Sequence, residues 1–248
     1  MTRLTTTAIA LSVGLLGQLA QADEPQHGDF ASRKLKVGDT ERVYRLVVPD
    51  SVDLSKPAPL VISFHGILID SKDVMPLYTR LSRSAKQHGF VLAYPNAINR
   101  AWGIMPEKVK QDLAFFDALV ERLSDDYKID SDRVYVMGMS NGGYFAHLVG
   151  AERSETVAAV ASHSGPLGLQ TLLGGIDAKR KFPVLIAHGD KDPLFGISIA
   201  RENRDKYEAE GHEVEYVELE DVGHEWGTKY RINDTIWKFF DEHPLEKK

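Results

Sequence analysis

Arg133-Val134-Tyr135-Val136-Met137-Gly138-Met139-Ser140-Asn141-Gly142-Gly143 changes character halfway along. Its first five residues are mostly β-branched, aromatic or long apolar side chains, as suits a strand covered on both faces. Residues 144–150 are apolar and free of proline, and read as a buried helix. Between the two stands Gly-x-Ser-x-Gly. A strand that turns straight into a helix at that point forces Ser140 into a strained backbone conformation, and small neighbours let strand and helix close around it. The hydroxyl then projects from the carboxyl end of a sheet, facing the first N–H groups and the positive dipole end of the helix. The pattern alone is weak, because three fixed residues at ordinary glycine and serine frequencies recur by accident. A Gly-rich turn without chemistry is the bland reading; the strand before and the helix after are what favour a nucleophile.

Outward from this segment, strand-like and helix-like stretches alternate. Residues 42–48 alternate as a half-exposed strand stopped by Pro49, and residues 60–64 form a continuous apolar run. Residues 73–88 have helical spacing, with Leu77, Leu81 and Ala85 on one face and Gly89 closing the segment. Another buried strand follows at 90–94, then a turn-rich loop over 95–106. An amphipathic helix over 107–127 points Leu113, Phe116, Leu119, Val120 and Leu123 inward. Downstream, strands are expected at 157–161, 184–187 and 214–219, with helices near 197–210 and 228–241. The alternation predicts an α/β fold with a mostly parallel central sheet and helices on both faces, forming one domain over residues 23–248. The short, Gly-rich stretch 162–182 leaves little or no room for a lid.

Residues 1–22 read as an export leader: Arg3, an apolar run, then Ala20-Gln21-Ala22 as a cleavage site. A membrane anchor is the alternative, but the apolar run is short for a span and lacks a positive flank after it. The expectation is a secreted or periplasmic protein without stable membrane insertion. The chain has no cysteine, which excludes thiol nucleophiles, thiolate metal sites and disulfide staples. Its formal net charge of −6 gives no basic footprint for nucleic acid. The nine histidines show no H-E-x-x-H or comparable ligand spacing, so neither metal nor cofactor is expected.

A serine alcohol needs a base, and the base an orienting carboxylate. Both residue types occur after predicted strands, in the order Ser, Asp, His that α/β-hydrolases use. Asp190 and Asp192 follow the strand at 184–187; Pro193 keeps Asp192 extended and favours it as the acid, leaving Asp190 a turn or capping role. His224, in Gly223-His224-Glu225-Trp226-Gly227, follows the strand at 214–219 and is the candidate general base, with an exposed loop histidine as the plain alternative. For the anion formed in acyl transfer, the backbone N–H of Asn141 is the first donor. The second is assigned to Ile67, in the loop His65-Gly66-Ile67 after the strand at 60–64. His65 reads equally as a substrate-side or a structural histidine. Trp102 and Trp226 are candidates for lining an acyl or aromatic pocket, with packing against the sheet edge as the other reading.

The segments Phe64-His65-Gly66, 130–143, His188-Gly189-Asp190-Lys191-Asp192-Pro193 and Gly223-His224-Glu225-Trp226 resemble the polyhydroxybutyrate depolymerase and feruloyl or acetylxylan esterase family of α/β-hydrolases. The likeness runs from about Arg42 to Phe240. It implies an α/β-hydrolase fold and a serine esterase with nucleophile Ser140, acid Asp192 and base His224, the oxyanion loop falling on His65-Gly66-Ile67. The substrate it implies is a small-molecule or polymeric ester, such as a polyester or a plant-wall feruloyl or acetyl ester. The natural ester and the oligomeric state stay open at this level. A serine peptidase of the same fold and a non-catalytic hydrolase-like binding protein are the competing readings.

Overall fold

The computed structural model describes residues 25–67 and 73–246 of the chain, so the leader read at 1–22 lies outside the described residues. In chain order the strands are β1 (Gly28–Val37), β2 (Thr40–Val48), β3 (Ala58–Phe64), β4 (Val91–Pro95), β5 (Ile129–Met139), β6 (Ala159–His163), β7 (Val184–Gly189) and β8 (Val214–Leu219). The helices are α1 (Met75–Thr79), α2 (Leu81–His88), α3 (Pro106–Asp126), α4 (Asn141–Glu152), α5 (Leu169–Gly174), α6 (Ile197–Ala209) and α7 (Ile232–Glu242). All eight strands form one sheet in the order β1-β2-β4-β3-β5-β6-β7-β8. β1 with β2 and β2 with β4 pair antiparallel, and every pairing from β4 to β8 is parallel. This is the mostly parallel α/β sheet that the alternation predicts, in the α/β-hydrolase fold that the resemblance implies.

The period of two along each strand divides the core into two layers. Val134 and Val136 of β5 join Leu60, Ile62, Val160 and Ile186 on the face covered by α3, α4 and α6. Tyr135, Met137 and Met139 join Val61, Leu92, Ala161 and Leu185 on the face covered by α2 and α7. β5 lies between β3 and β6, so the residue following it emerges at the middle of the parallel section.

Three expectations change in detail. Residues 28–37, to which the sequence assigns no element, form β1, an outer antiparallel strand whose alternate residues are exposed; a strand wetted on one face carries little apolar signal. The helix expected over 73–88 is two helices, broken where Arg80 adopts the left-handed conformation with φ 56°. The helix expected over 228–241 likewise begins as a turn at Thr228–Tyr230 and restarts after Arg231, at φ 53°. Neither break carries a proline or glycine, the usual sequence marks of a helix end.

α4 lies against the sheet with His147 fully buried and its Nδ1 2.9 Å from the Tyr207 hydroxyl of α6. Burial pushes the His147 pKa down to about 3, against a lesser raising effect of the Gly165 backbone. An unfolded histidine titrates near ~6.5. Between those values the unfolded chain binds a proton that the folded protein refuses, so stability is present above about pH 6.5 and falls as the pH drops below it. The loss from this residue is about 1.4 kcal/mol per pH unit, or roughly 2 kcal/mol at pH 5. Urea unfolding of His147→Gln between pH 7 and 5 should therefore show a slope shallower than that of the unsubstituted protein by about this amount; parallel slopes would mean that the imidazole takes up its proton while folded.

Candidate active site

Ser140 stands between β5 and α4 at φ 57°, ψ −122°. A side chain at such an angle costs about 1–3 kcal/mol, and the surroundings hold it there. The Ser140 N–H donates to the His163 carbonyl at the end of β6, 2.9 Å away, while its own carbonyl accepts the N–H of Tyr144 as the first turn of α4. The flanking glycines are required by contact. A Cβ on Gly138 would lie 2.2 Å from the Gly142 oxygen, and one on Gly142 would lie 2.2 Å from the Phe64 oxygen. Helix α4, β5 and β3 thus approach backbone to backbone.

Asp192 lies on the loop after β7 and His224 on the loop after β8, both at the carboxyl edge where β5 delivers Ser140. His224 Nδ1 is 2.7 Å from Asp192 Oδ2. Asp192 Oδ1 accepts the backbone N–H groups of Leu194 and Phe195 at 2.8 and 2.9 Å, and His188 Nε2 lies 3.4 Å from Oδ2. Burial pushes the Asp192 pKa up, but the Phe195 N–H, His224 and the Leu194 N–H outweigh it and hold the carboxyl below its ordinary value. Asp192 is therefore an anion at neutral pH, with both oxygens engaged. Of the two loop aspartates it is Asp192 that meets the histidine; the Asp190 carboxylate has Lys191 Nζ 3.9 Å away. Among the described residues no hydrogen bond joins the Ser140 hydroxyl to His224. The loops that carry them meet instead at His163.

His163 is fully buried. Its Nε2 accepts the N–H of Gly227 at 3.2 Å, three residues beyond His224, and its Nδ1 is 3.1 Å from Ser164 Oγ. Its ring stacks on Trp226 with centroids 4.9 Å apart. Burial, reinforced by His188 and His224 and opposed by Asp192, pushes its pKa down to about 3, so it stays neutral. Sequence reading passed over this residue, although a histidine closing the run Ala159-Val160-Ala161-Ser162 was the available signal.

The residues expected on the substrate side, Trp102, His65 and Trp226, are each largely buried and hydrogen-bonded. Trp102 is enclosed: its indole lies parallel to Phe145, 4.6 Å away, and its Nε1 donates to the His65 carbonyl. His65 is buried as well, with Nδ1 bonded to the Gly66 carbonyl and Nε2 accepting the Ala97 N–H. Trp226 donates its Nε1 to Asn233 Oδ1 and its N–H to the Tyr78 hydroxyl, and is almost wholly covered. An aromatic with a polar edge satisfies both its area and its donor by packing, and sequence does not show where the partner is. Asn141 is anchored by its side chain. Its side chain clasps the Trp102 backbone, Oδ1 accepting the N–H at 2.7 Å and Nδ2 donating to the carbonyl at 3.3 Å. Ile67 is exposed, and residues 68–72 after it lie outside the described part.

A cleft of about 360 Å³ opens beside the histidine loop, lined by Leu77, Tyr78, Arg80, Glu225, Trp226 and Lys229 among others. Neither Ser140 nor His224 lines it.

The profile of the dienelactone hydrolase family matches residues 78–238, which include Ser140, Asp192 and His224. A bifunctional acetylxylan esterase/xylanase from Neocallimastix patriciarum is 30% identical over 149 residues, 58% of this chain and 20% of that protein. Feruloyl esterase D from Neurospora crassa is 27% identical over 225 residues, covering 82% of this chain and 73% of its own length. The first curated relatives are matched over only 20–59% of their lengths. The crystal structure of a ferulic acid esterase from the anaerobic fungus Anaeromyces mucronatus superposes with a TM-score of 0.66 at 19% identity, over 92% of this chain and 93% of that one, a likeness of fold.

The strain at residue 140 has a measurable sign. Ser140→Gly removes the Cβ that disfavours φ 57°, whereas Ser140→Ala keeps it. Thermal or urea unfolding should find the glycine variant more stable than the alanine variant by about 1 kcal/mol; the reverse order would show that the turn is unstrained.

Proposed function

The chain belongs to the dienelactone hydrolase family, and from that premise we propose that it is a carboxylic ester hydrolase working through an acyl-enzyme on Ser140. The observation that carries the reading is the 2.7 Å bond between His224 and Asp192, made on the same sheet edge at which a strained turn presents a serine. With Nδ1 committed to Asp192, the remaining ring nitrogen of His224 is the one free to take a proton.

Ser140 Oγ attacks the ester carbonyl and gives its proton to His224 Nε2, and Asp192 stabilises the imidazolium. The carbonyl oxygen becomes an anion that accepts the N–H groups of Asn141 and Ile67, each worth about 3–4 kcal/mol if lost. Collapse expels the alcohol, protonated by His224, and leaves Ser140 acylated. Water then attacks the acyl carbon, its proton passing to His224; the acid departs and the serine recovers its hydrogen. In this scheme Trp102, His65 and the Asn141 side chain keep the two anion donors in place. The names of the relatives and the sequence resemblance support plant-wall feruloyl or acetyl esters, or a polyester, as the substrate class.

With a nitrophenyl ester, Ser140→Ala should lower kcat/KM on the order of 10⁶-fold, and a fluorophosphonate probe should label Ser140 in the folded protein. Activity retained in the alanine variant would remove the nucleophile. A panel of feruloyl sugars, acetylated xylan, hydroxyalkanoate oligomers and peptide anilides tests the substrate class, with turnover of anilides alone counting for a peptidase.

Export belongs to the same reading, through the leader at 1–22. The processed protein should begin at Asp23 by mass spectrometry, and a mature form that keeps Arg3 would argue for an anchor.

A further inference from the structure

Ser140 and His224 sit on loops from different strands, and a productive relay needs them fixed to within a fraction of an ångström. Displacement of about 1 Å costs on the order of a hundredfold in rate. Among the described residues no bond joins the two side chains, so their relative placement depends on whatever holds both loops. His163 touches both. Through its carbonyl it holds the Ser140 N–H at 2.9 Å, and through Nε2 it holds the Gly227 N–H at 3.2 Å. Its ring also backs Trp226, two residues after His224. The next residue, Ser164, ties the same turn to β7 by donating its N–H to the Ala187 carbonyl.

The hydrogen bonds fix the tautomer. Nε2 accepts from a backbone N–H, so it carries no proton; the proton is on Nδ1 and points to Ser164 Oγ at 3.1 Å. A ring with both nitrogens committed and almost no exposed surface has no free lone pair for substrate or water, which excludes service as a second base. A cation here would stand beside the imidazolium that His224 forms in turnover; burial keeps His163 neutral. A neutral, planar acceptor of this length is what the position requires. A carboxylate would add charge, and an aliphatic side chain would leave the Gly227 N–H without a partner in a buried setting.

We propose that His163 is a positioning residue of the hydrolase, a rigid buried bracket that sets the loop bearing His224 against the turn bearing Ser140. The inference rests on the reading of Ser140 as nucleophile and His224 as base.

Three substitutions separate this role from general support of the fold. Glutamine can present an uncharged oxygen near the place of Nε2, asparagine is uncharged but too short, and phenylalanine keeps the stacking surface without an acceptor. On a soluble nitrophenyl ester, His163→Phe and His163→Asn should lose roughly a hundredfold in kcat with KM changed less than about threefold. His163→Gln should recover to within about tenfold of the unsubstituted enzyme. If the phenylalanine variant fails to fold, the asparagine and glutamine pair carries the comparison. Equal kcat for Asn and Gln variants that remain folded, or a loss expressed in KM, overturns the positioning role. Fluorophosphonate labelling keeps the two levels apart. If Ser140 of the unsubstituted protein is not labelled, the underlying reading fails; if it is labelled and folded His163→Asn reacts at the same rate, only the bracket fails.

Discussion

The arrangement depends on one close approach: Phe64, Gly138 and Gly142 bring three backbones together where any Cβ would stand 2.2 Å from a carbonyl oxygen. That contact sets α4 directly on the ends of β3 and β5, so its first N–H groups lie beside the β3 loop. It also leaves Ser140 no relaxed conformation, because the chain must reverse within one residue. The strain is local and the support distributed, the usual balance at a site whose geometry is fixed before any ligand arrives.

Two polar assemblies extend from that contact. One runs from the buried pair Arg42–Asp112, 2.8 Å apart, through the Gly103 N–H on Asp112 to Trp102, and from Trp102 to both Asn141 and His65. Arg42 comes from β2 and Asp112 from α3, so an ion pair far from Ser140 in sequence is linked through the Gly103–Trp102 loop to the Asn141 side chain. The pair is well satisfied, with Arg42 also stacked on Phe115, and removing either partner would leave an uncompensated buried charge. The second assembly surrounds the histidine loop, where Tyr78, His163 and Asn233 each take one donor from Trp226 or Gly227.

Much of this architecture is legible in the amino-acid sequence, because burial on both faces writes a strand as an unbroken apolar run. The parallel strands from β3 to β8 fall within a few residues of their expected positions, and the strand-serine-helix junction is visible outright. What escapes is whatever depends on partners distant in the chain. β1 is half-exposed and lacks the apolar run. Arg80 and Arg231 break helices at left-handed backbones without the glycine or proline that marks a helix end in sequence. The tryptophans and His65 read in sequence as candidates for a pocket wall, and it takes the positions of Phe145, Asn233 and Ala97 to show how each is packed; Trp226 also lines the cleft beside the histidine loop. Asp192 was distinguishable from Asp190 by the following proline, a local backbone effect, whereas His163 had no local mark beyond being polar in an apolar strand.

Asn233 has a bearing on how the molecule comes into being. One amide reaches both ways, its Oδ1 to Trp226 and its Nδ2 to the Thr79 carbonyl, and it follows every other fastening of the histidine loop in chain order. During ribosomal synthesis the serine turn emerges first, the aspartate and histidine later, and the clasp later still. A nascent or prematurely terminated polypeptide can therefore form the turn at Ser140 while the wall beside His224 still lacks this fastening.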